Sequence, residues 1–466
     1  MANRYGSFAG GYRFRRFAGQ PEASLAEAGL PARAAVPLRS RFGTDLAPLV
    51  KTGEKVRAGQ VIARDDKTGA SLPAPVGGTV EELKPAAWLG GKTKVAAVAS
   101  DGSAEWVPLV GHSPDWKAQN RDTLRELVRR AGADELPAEA GHLVVQGVEA
   151  DAYSPDPAVL LEAWGQEAFV EGLAILARIL PSAHLHLALS RSRRALLERL
   201  AAAARQAGLA LAPRAVSHKY PQAHPVALNA AIFGKEQPGG VLVLDLQTVF
   251  HVRDAVVLGK PLIERVVALA GPGFRRRPHV RVRVGTPVGS LLAGYLRPNR
   301  QSRIVVNSLL GGRAVADPAE PVGADASVLI ALPENAEGGF LSFATPGFTS
   351  DSFALAFAAN ILPLAKACDT NLHGEHRACI SCGFCESVCP VGILPNILHR
   401  YVQRNVIDET LVRFQIFRCI DCNLCSYVCT SKIPLARLLR EGKEKLRREG
   451  LEPRPSPRLA PREASV

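Results

Sequence analysis

A repeated cysteine motif constrains this chain more than any other feature. The pattern C-x₂-C-x₂-C-x₃-C occurs twice, the second copy 40 residues after the first; its members are Cys379, Cys382, Cys385 and Cys389, then Cys419, Cys422, Cys425 and Cys429. In such runs the first three thiolates bind one iron–sulfur cube and the fourth binds the other cube. The sequence therefore predicts two [4Fe–4S] clusters.

The same spacing predicts which residues bind each cluster. We assign cluster 1 to Cys379, Cys382, Cys385 and Cys429, and cluster 2 to Cys419, Cys422, Cys425 and Cys389. Two zinc sites are the main alternative, but structural zinc usually takes two separated cysteine pairs rather than four cysteines within eleven residues. Disulfides would need an oxidising compartment, and no secretion signal is visible. We expect the ninth cysteine, Cys368, to be a buried core thiol.

Charge and hydropathy limit the partners of this chain. It has 466 residues and a formal net charge of +13, a surplus that suits an acidic partner or an anionic membrane surface. Its arginines are scattered without an aromatic-interleaved basic stripe, which disfavours nucleic acid. No apolar run reaches the roughly 18 residues that a membrane-spanning helix needs. We therefore expect a peripheral protein, and interpret the arginine- and aromatic-rich segment 4–17 as an arm that docks on a partner or on membrane headgroups.

The pattern of strands and helices predicts a multidomain α/β and β protein. Short β-branched runs with glycine turns indicate a barrel-sandwich hybrid, and alternating strands and helices indicate a Rossmann-like α/β domain. The predicted segments are an N-terminal arm (1–35), the barrel-sandwich, lipoyl-like domain (36–110), the Rossmann-like domain (111–277), a β-grasp-like module (278–335), a helical dicluster ferredoxin domain (351–450) and a disordered tail (451–466).

Lys67 lies in the turn between the two halves of the predicted barrel-sandwich domain. Carrier domains place a modified lysine on such a turn, but Thr68 and Gly69 follow Lys67 instead of the usual small residue and methionine flank. These flanking residues favour an unmodified, solvated lysine.

The order of these modules resembles the C subunit of Rnf electron-transport complexes and the related A subunit of sodium-pumping NADH:quinone oxidoreductases. The resemblance spans roughly residues 10–445 and rests on Val145–Glu149, Lys219–Gln222, Gly285–Val288 and the cysteine block. It implies an SLBB-like β-grasp module. It also implies that the protein lies peripherally at the cytoplasmic face of the inner membrane. There it would relay electrons through the clusters between a soluble or flavin donor and the membrane-embedded redox subunits of the same complex.

One departure from the family pattern bears on cofactors. In the Rnf C subunit a glycine-rich loop after Ala-Gly binds flavin mononucleotide and faces NADH, whereas here Ala131-Gly132 is followed by Ala133-Asp134-Glu135-Leu136-Pro137. Such a loop cradles phosphate with closely spaced backbone N–H groups, and proline removes one of them. The sequence therefore disfavours FMN and NADH, and no catalytic residue is assigned. Two alternatives stay open: a flavin-dependent NADH dehydrogenase subunit, and a non-catalytic scaffold with a lipoyl-like carrier domain.

Overall fold

Four β-sheets and a helical region make up the part of the chain that the computed structural model describes. That part comprises residues 6–40, 43–88, 91–133, 136–234, 237–335, 348–354, 358–362 and 364–453. Within these ranges no helix is both long and apolar enough to cross a membrane.

The barrel-sandwich module consists of two antiparallel sheets. A short strand β1 (Leu25–Glu27) precedes it. Its own strands are β2 (Arg33–Pro37), β3 (Ala47–Pro48), β4 (Lys55–Val56), β5 (Val61–Arg64), β6 (Ser71–Pro73), β7 (Gly78–Trp88) and β8 (Gly91–Ser100). One sheet has the order β2–β8–β7–β4 and the other β3–β5–β6. Ile62, Val80 and Val98 are fully buried in the core between them, which is the burial that β-branched residues in alternating strands provide.

The hairpin that carries Lys67 is held against the next module. The Asp65 carboxylate accepts hydrogen bonds from the Thr68 hydroxyl at 2.6 Å and the Thr68 backbone N–H at 3.0 Å, and these bonds lower the pKa of Asp65. The Arg129 guanidinium, on helix α1 (Arg121–Arg130), donates to the Thr68 carbonyl oxygen at 3.1 Å. Lys67 is exposed at this tip, and the tip itself is tied to α1.

A four-stranded parallel sheet follows, in the order β11–β10–β9–β12. Its strands and helices are β9 (His142–Gly147), α2 (Pro157–Trp164), α3 (Gln166–Ile179), β10 (His184–Ser190), α4 (Arg194–Gln206), β11 (Leu211–Val216), α5 (Pro225–Phe233), β12 (Val241–Asp245) and α6 (Leu246–Arg253). Alternate residues of β9 enter two separate cores, because Leu143 and Val145 pack in one and Val144 in the other. The sequence predicts one helix from Asp156-Pro157 through Leu180, but Gly165 at φ 91° divides it into α2 and α3.

The next sheet has six strands in the order β1–β14–β13–β17–β15–β16. Its further elements are β13 (Glu264–Ala270), β14 (His279–Arg283), α7 (Val288–Leu292), β15 (Ser302–Val306), β16 (Arg313–Ala314) and β17 (Val328–Pro333). The predicted boundary at residue 277 is wrong, because β13 pairs antiparallel with β14 and parallel with β17. A buried apolar strand has the same pattern in either sheet, so only its backbone partners reveal where it belongs. Strand β1, expected within a separate arm, pairs parallel with β14.

The cysteine region is helical, and its two halves share one local structure. Its helices are α8 (Ala358–Ile361), α9 (Phe384–Ser387), α10 (Pro395–Gln403), α11 (Glu409–Arg413), α12 (Leu424–Tyr427) and α13 (Leu435–Arg448). A left-handed residue precedes both α9 and α12, namely Gly383 at φ 77° and Asn423 at φ 61°. The sequence between the two motifs predicts a helix over Asp408–Phe417, but α11 is shorter, because Gln415 at φ 60° separates it from a 3₁₀ turn at Ile416–Arg418.

The N-terminal segment 6–24, here called the strap, packs against the rest of the protein. Tyr12 exchanges backbone hydrogen bonds with Tyr220 at 2.9 and 2.8 Å. Tyr12, Phe14 and Phe17 are 8%, 8% and 3% exposed and belong to one aromatic core with Tyr153 and Tyr220. The prediction that segment 4–17 is a docking arm is therefore wrong for its aromatic residues from Tyr12 onward, since burial inside the protein makes them unavailable to a partner. Residues 4 and 5, and most of the predicted tail, lie outside the described ranges.

Candidate iron–sulfur centres

Four cysteine side chains line one open cavity of about 340 Å³ in the helical region, here called cavity 1. They are Cys379, Cys382, Cys385 and Cys429. Three of them come from the first motif, whereas the fourth is the last cysteine of the second motif. Ile433 and Leu435 contribute apolar wall. The set is the one that the motif spacing assigns to cluster 1.

A second cavity of about 330 Å³, here called cavity 2, has the reciprocal composition. Its cysteines are Cys389, Cys419, Cys422 and Cys425, the set that the spacing assigns to cluster 2. Ile393, Ala436 and Leu439 supply apolar wall. The exchange follows from the packing of the two halves, because α9 contacts α12 and α10 contacts α13. The end of each motif therefore lies beside the start of the other.

The donor sets fit iron–sulfur cubes better than single zinc ions. In the described ranges, no group of three or more His, Cys, Asp or Glu side chains is placed to hold one metal ion. A four-iron cube spreads four thiolates around a larger body than one ion does, which suits a cysteine-lined cavity. Burial raises the pKa of the Cys385 and Cys419 thiols to about 11 and that of Cys422 to about 12. A cluster bound by these thiols would therefore have to displace their protons.

Polar groups surround the sulfur atoms of cavity 1. The Ser381 backbone N–H donates to Cys379 Sγ at 3.4 Å, and the Arg400 guanidinium donates to Ser381 Oγ at 2.9 Å. Burial acts to raise the pKa of Cys379, but the Ser381 N–H and the Arg400 charge lower it overall. The Thr430 hydroxyl lies 3.9 Å from Cys382 Sγ. Thr430, which follows the second motif in the sequence and whose hydroxyl could donate to a cluster sulfur, thus lines cavity 1 beside a cysteine of the first motif.

Cavity 2 is attached to the rest of the protein through the residues that line or adjoin it. The Tyr220 hydroxyl donates to the Cys422 carbonyl oxygen at 2.9 Å, and the Asn423 side-chain amide donates to the Leu310 carbonyl oxygen. From the strap, the Gly11 backbone N–H donates to the Val388 carbonyl oxygen at 2.8 Å. A Cβ at Gly10 would lie 2.4 Å from the Cys389 carbonyl oxygen, so this approach requires glycine. These contacts hold cavity 2 against the α/β modules.

A buried carboxylate links the strap to the second motif. Asp351 Oδ2 accepts hydrogen bonds from the Tyr12 hydroxyl at 2.7 Å and from the Tyr427 hydroxyl at 2.6 Å. Burial, reinforced by the Asp351 charge, raises the pKa of both hydroxyls, so they remain protonated donors. Tyr427 lies between Cys425 and Cys429, and the strap therefore supports the backbone that carries these cysteines.

Tyr220→Phe should weaken the attachment of cavity 2. The variant leaves the Cys422 carbonyl without its donor, and an unsatisfied buried acceptor costs about 1–3 kcal/mol. We expect denaturant unfolding of the anaerobic protein to show this loss, and the paramagnetic resonance spectrum of the reduced protein to change for one cluster. Tyr295→Phe, in the six-stranded-sheet module, is the matched control. Equal stability and unchanged spectra in Tyr220→Phe would contradict the role of this hydroxyl.

Two modules match protein families. Residues 7–103 match the RnfC barrel sandwich hybrid domain, and residues 376–433, which include all eight motif cysteines, match the 4Fe–4S dicluster domain. Over 453 residues the chain is 31% identical to the C subunit of the ion-translocating oxidoreductase complex of Pseudomonas aeruginosa, covering 91% of this chain and 54% of that protein. Over 461 residues it is 28% identical to the A subunit of the Na(+)-translocating NADH-quinone reductase of the same organism, covering 93% and 97%. The chain is a relative of both proteins.

The resemblance to Rnf C and Nqr A subunits, the barrel-sandwich domain and the 4Fe–4S dicluster domain are thus confirmed. The chain spans about half the length of the Rnf C subunits that it matches. It spans nearly the whole length of the Nqr A subunit. The barrel-sandwich match begins at residue 7 rather than 36 and so includes the strap. The chain also aligns with the structure of an NAD+-reducing [NiFe]-hydrogenase in the H2-reduced state, over 71% of this chain and 62% of that chain. The TM-score is 0.42 and the sequence identity is 14%, which is too low a similarity for a comparison of the folds.

Proposed function

We propose that this relative of the Rnf C and Nqr A subunits is an electron-transfer component of an ion-translocating oxidoreductase complex. It relays single electrons through two [4Fe–4S] clusters. The observation that supports this most is the pair of four-cysteine cavities, each completed by a cysteine of the other motif. In this proposal Cys379, Cys382, Cys385 and Cys429 bind cluster 1, and Cys419, Cys422, Cys425 and Cys389 bind cluster 2. Each cluster supplies one-electron redox chemistry when bound.

The residues around the sulfur atoms set how readily an electron is accepted. Hydrogen bonds to the sulfurs, nearby charge and solvent exposure all tune cluster potentials. The Ser381 N–H and the Arg400 guanidinium beside Cys379 favour the more negative, reduced state at cavity 1. At cavity 2 the Lys443 ammonium donates to the Cys419 carbonyl oxygen at 3.2 Å and to the Asp421 carboxylate at 2.5 Å. Because the Asp421 carboxylate offsets the Lys443 charge, this lysine stabilises the reduced state at cavity 2 less than Arg400 does at cavity 1.

The proposal extends to partners and location. The relatives are named as subunits of an ion-translocating oxidoreductase complex and of a Na(+)-translocating NADH-quinone reductase. We therefore propose that the partners of this chain are the membrane-embedded redox subunits of such a complex and a soluble or flavin electron donor. The net charge of +13 suits an anionic inner-membrane surface, and we place the chain peripherally at its cytoplasmic face. In the same proposal the parallel sheet is a Rossmann-like module, and the six-stranded sheet contains a β-grasp, SLBB-like module.

The proposal assigns no FMN or NADH site to the segment after Gly132. Ala131 and Ala133 are fully buried, and a Cβ at Gly132 would lie 3.1 Å from the Ser71 carbonyl oxygen. The described part of this segment therefore packs against the barrel-sandwich module, whereas a phosphate cradle presents its backbone N–H groups to an open cleft. Asp134 and Glu135 lie outside the described residues.

Metal analysis of anaerobically purified protein tests the proposal. We expect about eight iron and about eight acid-labile sulfide ions per chain, because each cube contains four of each. Two zinc ions without sulfide would refute it. Stoichiometric flavin released on denaturation would favour the NADH dehydrogenase alternative, and a mass increase on Lys67 would favour the carrier alternative.

A further inference from the structure

One carboxyl group outside both cysteine sets lies among the loops that hold cavity 2. Asp151 follows β9, and its Oδ2 accepts a hydrogen bond from the Ser308 hydroxyl at 2.5 Å. Its Oδ1 accepts from the backbone N–H groups of Ala152 at 2.6 Å and Leu309 at 3.4 Å. Burial raises the pKa of Asp151 to about 6, although these hydrogen bonds act to lower it. Asp151 therefore changes charge much closer to neutral pH than an ordinary aspartate does.

A tyrosine connects this carboxyl group to cavity 2. The Tyr220 hydroxyl donates to the Cys422 carbonyl oxygen at 2.9 Å. A Cβ at Gly311 would lie 3.2 Å from the Tyr220 hydroxyl oxygen and 3.6 Å from Ser308 Oγ, so both hydroxyls flank the same glycine. Burial raises the pKa of Tyr220, and the charges of Asp151 and Cys422 raise it further. One hydroxyl therefore senses both groups, and a charge gained at cavity 2 acts on Asp151 through protein rather than through water.

The hydrogen bonds to Asp151 come from uncharged donors, and the charged groups nearby are engaged elsewhere. The charged or titratable side chains of the surrounding segments are Glu149, Tyr153 and Asp156 from its own segment, His218, Lys219, Tyr220 and His224 from the loop after β11, Arg313 after β15, and Asp421 and Cys422 from the second motif. Partners other than Asp151 are Arg193 for Glu149 and Asp156, the Gly10 carbonyl oxygen for Lys219, Glu320 for Arg313, and Lys443 for Asp421. Burial lowers the pKa of both histidines, which favours their neutral form.

We propose that Asp151 takes up a proton when an electron enters cluster 2 and releases it when the electron leaves. Proton and electron transfer are then linked at cavity 2. The inference rests on the proposed function, because it requires cluster 2 to be present. Its physical reason is that added negative charge nearby favours the neutral form of a carboxyl group.

The linked step adds one electron and one proton. The electron comes from the donor of the relay and reduces the iron of the cluster by one unit. The proton comes from solvent, which reaches part of Asp151 and of Ser308, and forms an O–H bond at Asp151 Oδ2. The Ser308 hydroxyl, which already accepts from the Gly311 N–H at 3.1 Å, can rotate and accept from the new O–H group. Reoxidation reverses both transfers.

Anaerobic redox titration of the loaded full chain at a series of pH values tests the link. The readout is the midpoint potential of the paramagnetic resonance signal that Cys422→Ser removes. We expect this potential to fall with rising pH between the pKa of Asp151 in the oxidised protein and its pKa in the reduced protein. One added charge about 10 Å away raises a proton affinity about tenfold or more at an effective dielectric constant of about 20, and we expect a change of that size.

Three variants make the titration specific. Asp151→Asn should remove the pH dependence over this interval, because the amide does not titrate. Asp66→Asn, at an exposed position of the barrel-sandwich module, is the matched control and should keep it. Ser308→Ala removes a hydrogen bond that lowers the pKa of Asp151, so it should move the interval to higher pH.

Infrared difference spectra give a second readout in the unchanged chain. Reduction within the interval should produce a carboxylic acid C=O band that shifts in D2O and is lost in Asp151→Asn. A loaded chain whose cluster 2 potential does not depend on pH would overturn the inference, as would an Asp151→Asn variant that keeps the dependence and the band. If Asp151→Asn does not fold, an unchanged interval in Ser308→Ala would overturn it. A chain without iron and sulfide would instead refute the proposed function.

Discussion

Cys429→Ser is expected to damage the cluster bound by Cys379, Cys382 and Cys385, although Cys429 belongs to the second motif. The reason is geometric, because Cys429 lines cavity 1 together with those three cysteines. A cube that loses one of its four thiolates is destabilised, so iron should fall from about eight toward about four per chain. Paramagnetic resonance of the reduced protein should lose one of two cluster signals.

Paired variants make this test specific. Cys429→Ser should leave the same residual signal as Cys382→Ser, and Cys389→Ser should leave the same residual signal as Cys422→Ser. Cys368→Ser is the control, since Cys368, predicted to be a buried core thiol, is a partly buried thiol at the edge of the aromatic core and lines neither cavity. If Cys429→Ser instead matched Cys422→Ser, each motif would hold its own cluster and the assignment would fail.

Phe17→Ala in the strap should lower the free energy of unfolding by about 3–5 kcal/mol, the usual cost of truncating a buried phenylalanine. Phe17 is 3% exposed, and its ring lies 5.9 Å from that of Phe14 and 6.2 Å from that of Tyr153 between centroids. Denaturant unfolding of the anaerobic, loaded protein measures the change. Val110→Ala is the control, since Val110 is 78% exposed and its truncation should cost no more than about 0.5 kcal/mol.

Because the strap is buried, its deletion should have a different effect from the deletion of an exposed docking arm. As a docking arm, residues 1–19 could be removed without disturbing the clusters. In the structure, their removal would uncover Tyr220 and take the Tyr12 hydrogen bond from Asp351, which also supports Tyr427. We therefore expect the deletion to lower cluster occupancy. A stable Phe17→Ala variant and a deleted chain with full iron content would together restore the docking-arm interpretation.

Local patterns explain what the sequence predicts well. Cysteine spacing is a property of a few adjacent turns, and it predicts the same two sets of four residues that line the cavities. Glycine turns and short alternating strands likewise predict the barrel-sandwich domain, which the family comparison confirms. Local periodicity also predicts a strand at Leu143–Val145 and a helix at Arg121–Ala131, and the structure has β9 and α1 there with shifts of one or two residues at their ends.

Long-range packing explains what the sequence does not predict. The strap has arginines and aromatics without a helical or strand period, and its burial depends on residues hundreds of positions away, such as Asp351. Strand β13 is apolar on both faces, so its pattern does not reveal which sheet it joins. The role of Tyr220 is hidden for the same reason, because its partner Cys422 is 202 residues away. The sequence indicates only that the loop containing Tyr220 resembles the corresponding segment of the family.

The strap can complete its contacts only when residues far along the sequence are present. Tyr12 bonds to a residue 339 positions later, and Gly11 bonds to Val388, so the strap binds surfaces formed by residues several hundred positions away in the sequence. Contacts of such large sequence separation form slowly. Until they form, Tyr12, Phe14 and Phe17 remain open to chaperones and proteases. Closure of the strap therefore requires the chain at least as far as Val388, and a product truncated before this residue would leave Tyr12, Phe14 and Phe17 exposed.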